Sequence, residues 1–267
     1  MKATFLSLLV LLLIAIPGSD AVEIPYQKSS EPQWIQLFNG EDLSDWDIKI
    51  RGYELGVNYK NTFQVEDGLL KVSYGGYDTF KEEFGHLFYK KPFSHYRLRV
   101  EYRFVGQQVI DGPGWAFRNN GVMVHSQSAR SMGLDQDFPI SLEAQLLGGA
   151  DEGARSTMNL CTPGSSVVID GRFREEHCIE SRSDTYRGDQ WVTAEMVVRG
   201  DVVIHHIVEG DTVLTYTRPE MGGGAISGYD PEVYTEGKPM KSGYIAIQAE
   251  SHPTEFRKIE VMILDPE

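Results

Sequence analysis

The chain is poor in cysteine, poor in positive charge and, after its first residues, without any long apolar run. Each shortage removes a class of protein. Twenty-five Lys and Arg face 39 Asp and Glu, a formal net charge of −14. Phosphate backbones are bound by basic surfaces, so this balance argues against a nucleic-acid partner. It argues equally against electrostatic docking on anionic lipid. No Gly-x-Ser-x-Gly occurs, so the nucleophile elbow of a Ser/His/Asp hydrolase is unsupported. No glycine-rich loop leads from a strand into a helix, as a phosphate cradle would. Helical periodicity is almost missing after Trp34. What remains is a neutral or cationic partner for an acidic chain that is 41% hydrophobic, enough for a real core.

The one apolar run lies at the start. Lys2 precedes Phe5 to Ile16, Pro17 and Gly18 break the run, and Ser19-Asp20-Ala21 offers small residues for cleavage. Residues 1–21 therefore read as a secretory signal peptide. The run is shorter than the roughly 20 residues a membrane span needs. Secretion or export to a periplasm follows, with no membrane span left in the mature chain. In an oxidising compartment the only two cysteines, Cys161 and Cys178, are expected to pair across a 16-residue insert. Two buried free thiols are the alternative.

Residues 22–33 are polar and read as an extended lead-in. From residue 34 to 267, short alternating runs lie between Gly, Asp and Asn turns, and no repeat or linker divides them. Strands are expected at 69–73, 96–104, 122–127, 141–147, 191–199, 202–208, 244–250 and 257–263. The pair 202–208 and 212–217, around Glu209-Gly210-Asp211, reads as a hairpin. The glycine-rich stretch 221–243 reads as a long loop. One all-β sandwich domain is the simplest architecture.

Side chains alternate between the faces of a strand, so parity sorts them. Met123, His125 and Gln127 fall opposite Val122 and Val124. Glu143 and Gln145 fall opposite Leu142, Ala144 and Leu146. Gln248 and Glu250 fall opposite Ile245, Ile247 and Ala249. A solvated outer face also alternates, but such faces carry Lys, Thr and Ser, whereas these strands carry His, Gln and Glu. Amides and carboxylates of this kind suit sugar hydroxyls, and Trp115, Phe117 and Tyr244 could stack on pyranose faces. The expectation is one shared groove. Glu101 and Glu195, on strands rich in Arg, read as structural charge pairs that could still reach it. Glu250 and His252 share a parity at a strand end, an arrangement suited to acid/base work. His86 is equally a core or a site residue. His205 and His206 lie on opposite faces and read as structural. His125 with Glu143 or Glu250 could hold a divalent metal ion, although no ligand spacing marks one.

The stretch WIQLFNGEDLSDW at 34–46 resembles the opening of the 3-keto-disaccharide hydrolase family. Matches continue in order with FQVEDGLL at 63–70, FGHLFYKKPFSHYRLRVEYRF at 84–104, WAFRNNGVMVHSQ at 115–127, SLEAQLLGG at 141–149, GDQWVTAEMVVRGD at 188–201 and GYIAIQAESHPTEFRKIEVM at 243–262. The resemblance implies a concanavalin A-like jelly-roll sandwich of two antiparallel sheets. It also implies action on an oligosaccharide or glycoside already oxidised to a ketone at C3. The catalytic candidates it supports are His125, Glu143, Glu250 and His252. Its substrate-binding candidates are Arg118, Asn120 and Gln145, with Arg118 or a divalent cation polarising the ketone, and they join Trp115 and Gln248 from the aromatic and parity readings. A non-catalytic carbohydrate-binding module and an ordinary glycoside hydrolase are the competing functions.

Overall fold

Alternation decides which face of each strand is buried. In the computed structural model, which describes residues 33–174 and 176–266, the run His95–Phe104 alternates strictly between half-buried and buried side chains. The expected signal peptide and all of the expected lead-in except Gln33 lie outside the described residues. In chain order the strands are β1 Trp34–Gln36, β2 Trp46–Ile50, β3 Phe63–Glu66, β4 Leu69–Val72, β5 Gly85–Tyr89, β6 His95–Phe104, β7 Asn119–Ser126, β8 Leu142–Leu147, β9 Asn159–Cys161, β10 Ser165–Ile169, β11 Arg172–Arg174, β12 Cys178–Ile179, β13 Val192–Arg199, β14 Val203–Val208, β15 Asp211–Met221, β16 Tyr244–Ala249 and β17 Thr254–Ile263.

They form two antiparallel sheets, a jelly-roll sandwich. One sheet runs β11-β10-β15-β14-β13-β6-β17-β4-β3, with β1 added on β17; the other runs β12-β9-β8-β7-β16-β5-β2. The expected hairpin is present as β14 and β15, in register from Val203↔Thr217 to Val208↔Asp211. The core between the sheets takes Leu98, Val100 and Tyr102 from one side and Val122, Ala144, Leu146 and Ile247 from the other.

The outer face of the larger sheet is a charge ladder. Glu195 accepts from Arg97 at 2.6 Å and from Arg99 at 2.7 Å, and Arg99 reaches Glu260 at 2.9 Å. Glu101 pairs with Arg257 and Lys258. Glu101 and Glu195 are therefore structural, and neither belongs to a groove. His206 is buried between the Met158 carbonyl and the Tyr216 hydroxyl, and His205 meets Thr215. Both are structural as well.

Candidate functional site

The site is built on the outer face of the seven-stranded sheet. Register aligns its side chains in rows. One row runs Cys178, Cys161, Glu143, Met123, Ala246 and Phe88. The next runs Asn159, Gln145, Gly121, Gln248, His86 and Lys49. The segment after β7 covers part of this face, where Ala129 and Met132 pack on Phe88, Met123 and Ala246 as a small second core. The uncovered part is a cavity of ≈ 360 Å³ lined by Trp115, Asn119, Phe138, Glu143, Gln145, Glu250 and the Cys161–Cys178 disulfide with its neighbour His177.

Gly121 lies in the second row because the site has no room there for a side chain. A Cβ at that position would stand 2.4 Å from Glu143 Oε1 and 2.8 Å from its Cγ. The Glu143 carboxyl thus leans out of its own row and lies over the bare glycine. Glu143 and Glu250 are both almost wholly buried. Burial pushes the Glu143 carboxyl up to about 8. Burial, then the charge of Glu143, holds Glu250 well above the usual carboxylate range. Glu250 Oε2 has no hydrogen-bond partner among the described residues. Two carboxyls that feel one another titrate as a pair, and near neutral pH the pair retains a proton. Both carboxyls therefore favour the proton-holding form more than a solvated glutamate does.

Aromatic rings form the rim. Trp115 is 54% exposed and stacks on Phe84 at 5.9 Å, and Phe84 meets Phe138 at 5.0 Å. The Trp115 turn is held from behind, because Arg155 donates to the carbonyls of Trp115, Phe117 and Gly148. Past Gln145 and Cys178 the cavity meets a polar groove of ≈ 530 Å³ that includes Asn159, Ser181 and Ser183.

Several expected residues lie elsewhere. His125 leaves the parity of its strand because its φ is +48°, beside a register break between β7 and β16. Its Nε2 meets the Gly200 carbonyl at 2.9 Å, and the residue lines a different cavity with Lys238 and Lys241. It does not join Glu143 or Glu250, so the divalent site expected from these residues is not assembled. Arg118 points away and donates to Gly188 O and Asp189. Asn120 faces the interior and donates to Gln248 O at 2.7 Å, a tie between strands. His252 is buried edge-on against Phe104 and Phe117, outside the cavity lining. Burial, with Arg118 nearby, lowers it to about 4. Phe117 serves that packing, and Tyr244 packs on the small second core. Trp115, Glu143, Gln145 and Glu250 are brought together as expected. Gln248 belongs to the same face but lies beneath the lining, buried with both amide atoms unpartnered.

Asn119, not the expected Asn120, lines the cavity, as its shared parity with Gly121 and Met123 favours. Phe138 and His177 also line the cavity and sit in irregular segments where parity gives no direction. Cys161 and Cys178 face one another on β9 and β12 and form the expected disulfide, with S–S 2.02 Å. Among the described residues, Cys161, His177 and Cys178 are the only grouping of His, Cys, Asp or Glu whose ligand atoms all lie within 4.8 Å of one another. Both sulfurs are used by the disulfide, so this grouping does not present thiolates to a metal.

Residues 33–262 match the model of the 3-keto-alpha-glucoside-1,2-lyase-like domain. No curated protein matches the chain. Among solved structures, two of candidate glycosyl hydrolases from Parabacteroides distasonis ATCC 8503 are similar, each at TM-score 0.51. One is 16% identical and covers 87% of this chain and 100% of that one. The other is 17% identical and covers 87% and 94%. At these identities the likeness is one of fold. A Bacillus subtilis protein of unknown function with a galectin-like fold is 12% identical over 86% of this chain and 94% of its own, at TM-score 0.46.

Proposed function

From the chain's membership of the 3-keto-alpha-glucoside-1,2-lyase-like family, we propose that its cavity cleaves glycosides whose sugar ring carries a ketone at C3. The observation that carries this reading is the pair of buried carboxyls, Glu143 and Glu250, that line one cavity beneath an aromatic rim. A C3 ketone acidifies the hydrogen on C2. The ionised carboxylate of the pair takes that proton, breaking the C2–H bond and leaving an enolate. The enolate electrons re-form the ketone and drive a C1–C2 double bond as the C1–O bond breaks. The neutral carboxyl gives its proton to the departing oxygen. Water then adds across the double bond, oxygen to C1 and hydrogen to C2, and the net result is hydrolysis. Two carboxyls with raised, linked pKa values suit both halves of this exchange.

Arg118 is engaged with Asp189, so the Gln145 amide is the better donor to the ketone oxygen. Trp115 offers a flat apolar surface to the sugar ring. The adjoining hydroxyl-rich groove suits a leaving group that is itself a sugar. Secretion fits a disulfide-stapled enzyme. Among the described residues, no helix is long and apolar enough to cross a membrane.

The test is incubation with a 3-keto-glucoside and with its unoxidised parent. Release of the aglycone from the keto compound alone is expected. Cleavage of the parent alone would indicate an ordinary glycosidase, and binding of both without cleavage would indicate a binding module.

A further inference from the structure

Three neighbouring side chains on the outer face carry polar atoms that the protein leaves unpaired. His86 and Gln248 are fully buried and stand directly opposite one another on β5 and β16. Neither ring nitrogen of His86 and neither amide atom of Gln248 has a hydrogen-bond partner among the described residues. Glu250, two residues beyond Gln248 on the same face, leaves Oε2 in the same condition. A buried polar group without a partner is costly, and adjacent ones are rarer still in a core built only for packing. Nearby Lys49 is also buried, but its ammonium is satisfied by the carbonyls of Ile50, Tyr53 and Leu134. Other buried polar atoms also lack partners, among them Asn119 Oδ1 and both ring nitrogens of His252, but His86 and Gln248 face one another on paired strands beside the carboxyl pair.

The Phe138 ring stands between His86 and the cavity. Phe138 lines the cavity, and its ring meets the His86 imidazole at 6.0 Å with the planes at 83°. Phe138 is only half-buried and belongs to the irregular segment before β8, so its side chain can turn without breaking a strand. Burial and the Lys49 charge keep His86 neutral, with one nitrogen donating and the other accepting. The Gln248 amide likewise offers a donor and an acceptor. A sugar hydroxyl donates and accepts in the same way.

We propose that His86 and Gln248 form a recessed hydroxyl-binding subsite behind Phe138, which a turn of the Phe138 ring joins to the cavity. It takes neighbouring hydroxyls of the same ring whose C2 hydrogen faces the carboxyl pair. His86 is then a positioning residue for the reaction proposed above, and the inference rests on that reading. The subsite also accounts for a neutral imidazole where an apolar side chain would pack more cheaply.

The experiment compares wild type, His86→Phe and His86→Gln with the 3-keto-glucoside as probe. His86→Phe is expected to raise KM about tenfold while raising the Tm of the ligand-free protein, because one hydrogen bond is lost on binding and an unpaired group is removed. His86→Gln keeps a neutral donor and acceptor and is expected to recover most of the KM. An unchanged KM in His86→Phe would overturn the subsite and leave His86 as packing. Ring-nitrogen resonances of 15N-histidine-labelled wild type give a measurement that needs no variant to fold. The His86 resonances should move on saturation with the probe, and unmoved resonances would also overturn the proposal. Wild type that turns over the probe while His86 stays silent sinks the subsite alone. Wild type that neither binds nor cleaves the probe sinks the reaction and the subsite together.

Discussion

At the residue scale, the site depends on one glycine and two acids. Glu143→Gln keeps the size and shape of the buried side chain without its titrating proton, so the fold should survive. Turnover should fall about a hundredfold or more, the usual worth of a positioned acid or base. A coupled assay beside a circular dichroism spectrum checks both. Gly121→Ala puts a methyl 2.4 Å from Glu143 Oε1 and should displace that carboxyl. Its kcat and its Tm should both drop, since the methyl collides with the Cγ as well as the carboxyl of a buried side chain. His125→Ala should separate the two effects. It should leave kcat unchanged and lower Tm, because His125 is tied to Gly200 and stands apart from the acid pair.

Proton linkage gives a further residue-scale outcome. The folded Glu143 pKa, about 8, lies above the ordinary 4.5. Its favourable contribution is therefore complete below about pH 4.5 and is lost as pH rises through about 8. Denaturant midpoints should decline across that window, and Glu143→Gln should flatten the decline. At this scale the sequence was legible wherever a regular strand carried the residue. Parity found Glu143, Gln145 and Glu250. It failed at His125, where a left-handed backbone in a bulge breaks the alternation that the argument assumes. It could not see that Arg118 has a closer carboxylate in Asp189, since that pairing crosses 71 positions of sequence.

At the element scale, β9 and β12 are too short to be recognised from pattern alone, at three and two residues. The disulfide does for them what length does for other strands. It closes a loop with a sequence separation of 17 and borders the cavity at Cys161 and Cys178. Replacing both cysteines by serine should cost about 3 kcal/mol of unfolding free energy from loop entropy, read from denaturant midpoints. The longer strands and the hairpin β14 and β15 were legible because alternation persists through them. The cover over the seven-stranded sheet was not, because the irregular segment between β7 and β8 is fixed by long-range bonds. The Gly52 N–H and the Lys49 ammonium both donate to the Leu134 carbonyl, and Arg51 Nε donates to the Asp135 carbonyl, so the segment is tied to residues some 80 positions away.

At the scale of the whole molecule, the two sheets divide the labour. The larger sheet turns its outer face to solvent and balances its charges in the ladder through Arg97, Glu195, Arg99 and Glu260. The smaller sheet has its outer face partly covered, and the cavity that remains buries two carboxyls deeply enough to raise both. The net charge of −14 thus conceals two kinds of acid: many that are solvated or paired, and two that are buried with their carboxyls held above the usual range. Total charge was legible in composition, but that division depends on which face is covered, and cover is a tertiary property.

The fate of the C2 hydrogen tests the account most directly. A 3-keto-glucoside turned over in heavy water, followed by proton NMR against an enzyme-free control, should give a product with deuterium at C2. Wild type should show this, and Glu143→Gln should show neither exchange nor cleavage. Cleavage by wild type with the original hydrogen retained at C2 would contradict proton abstraction by the buried pair.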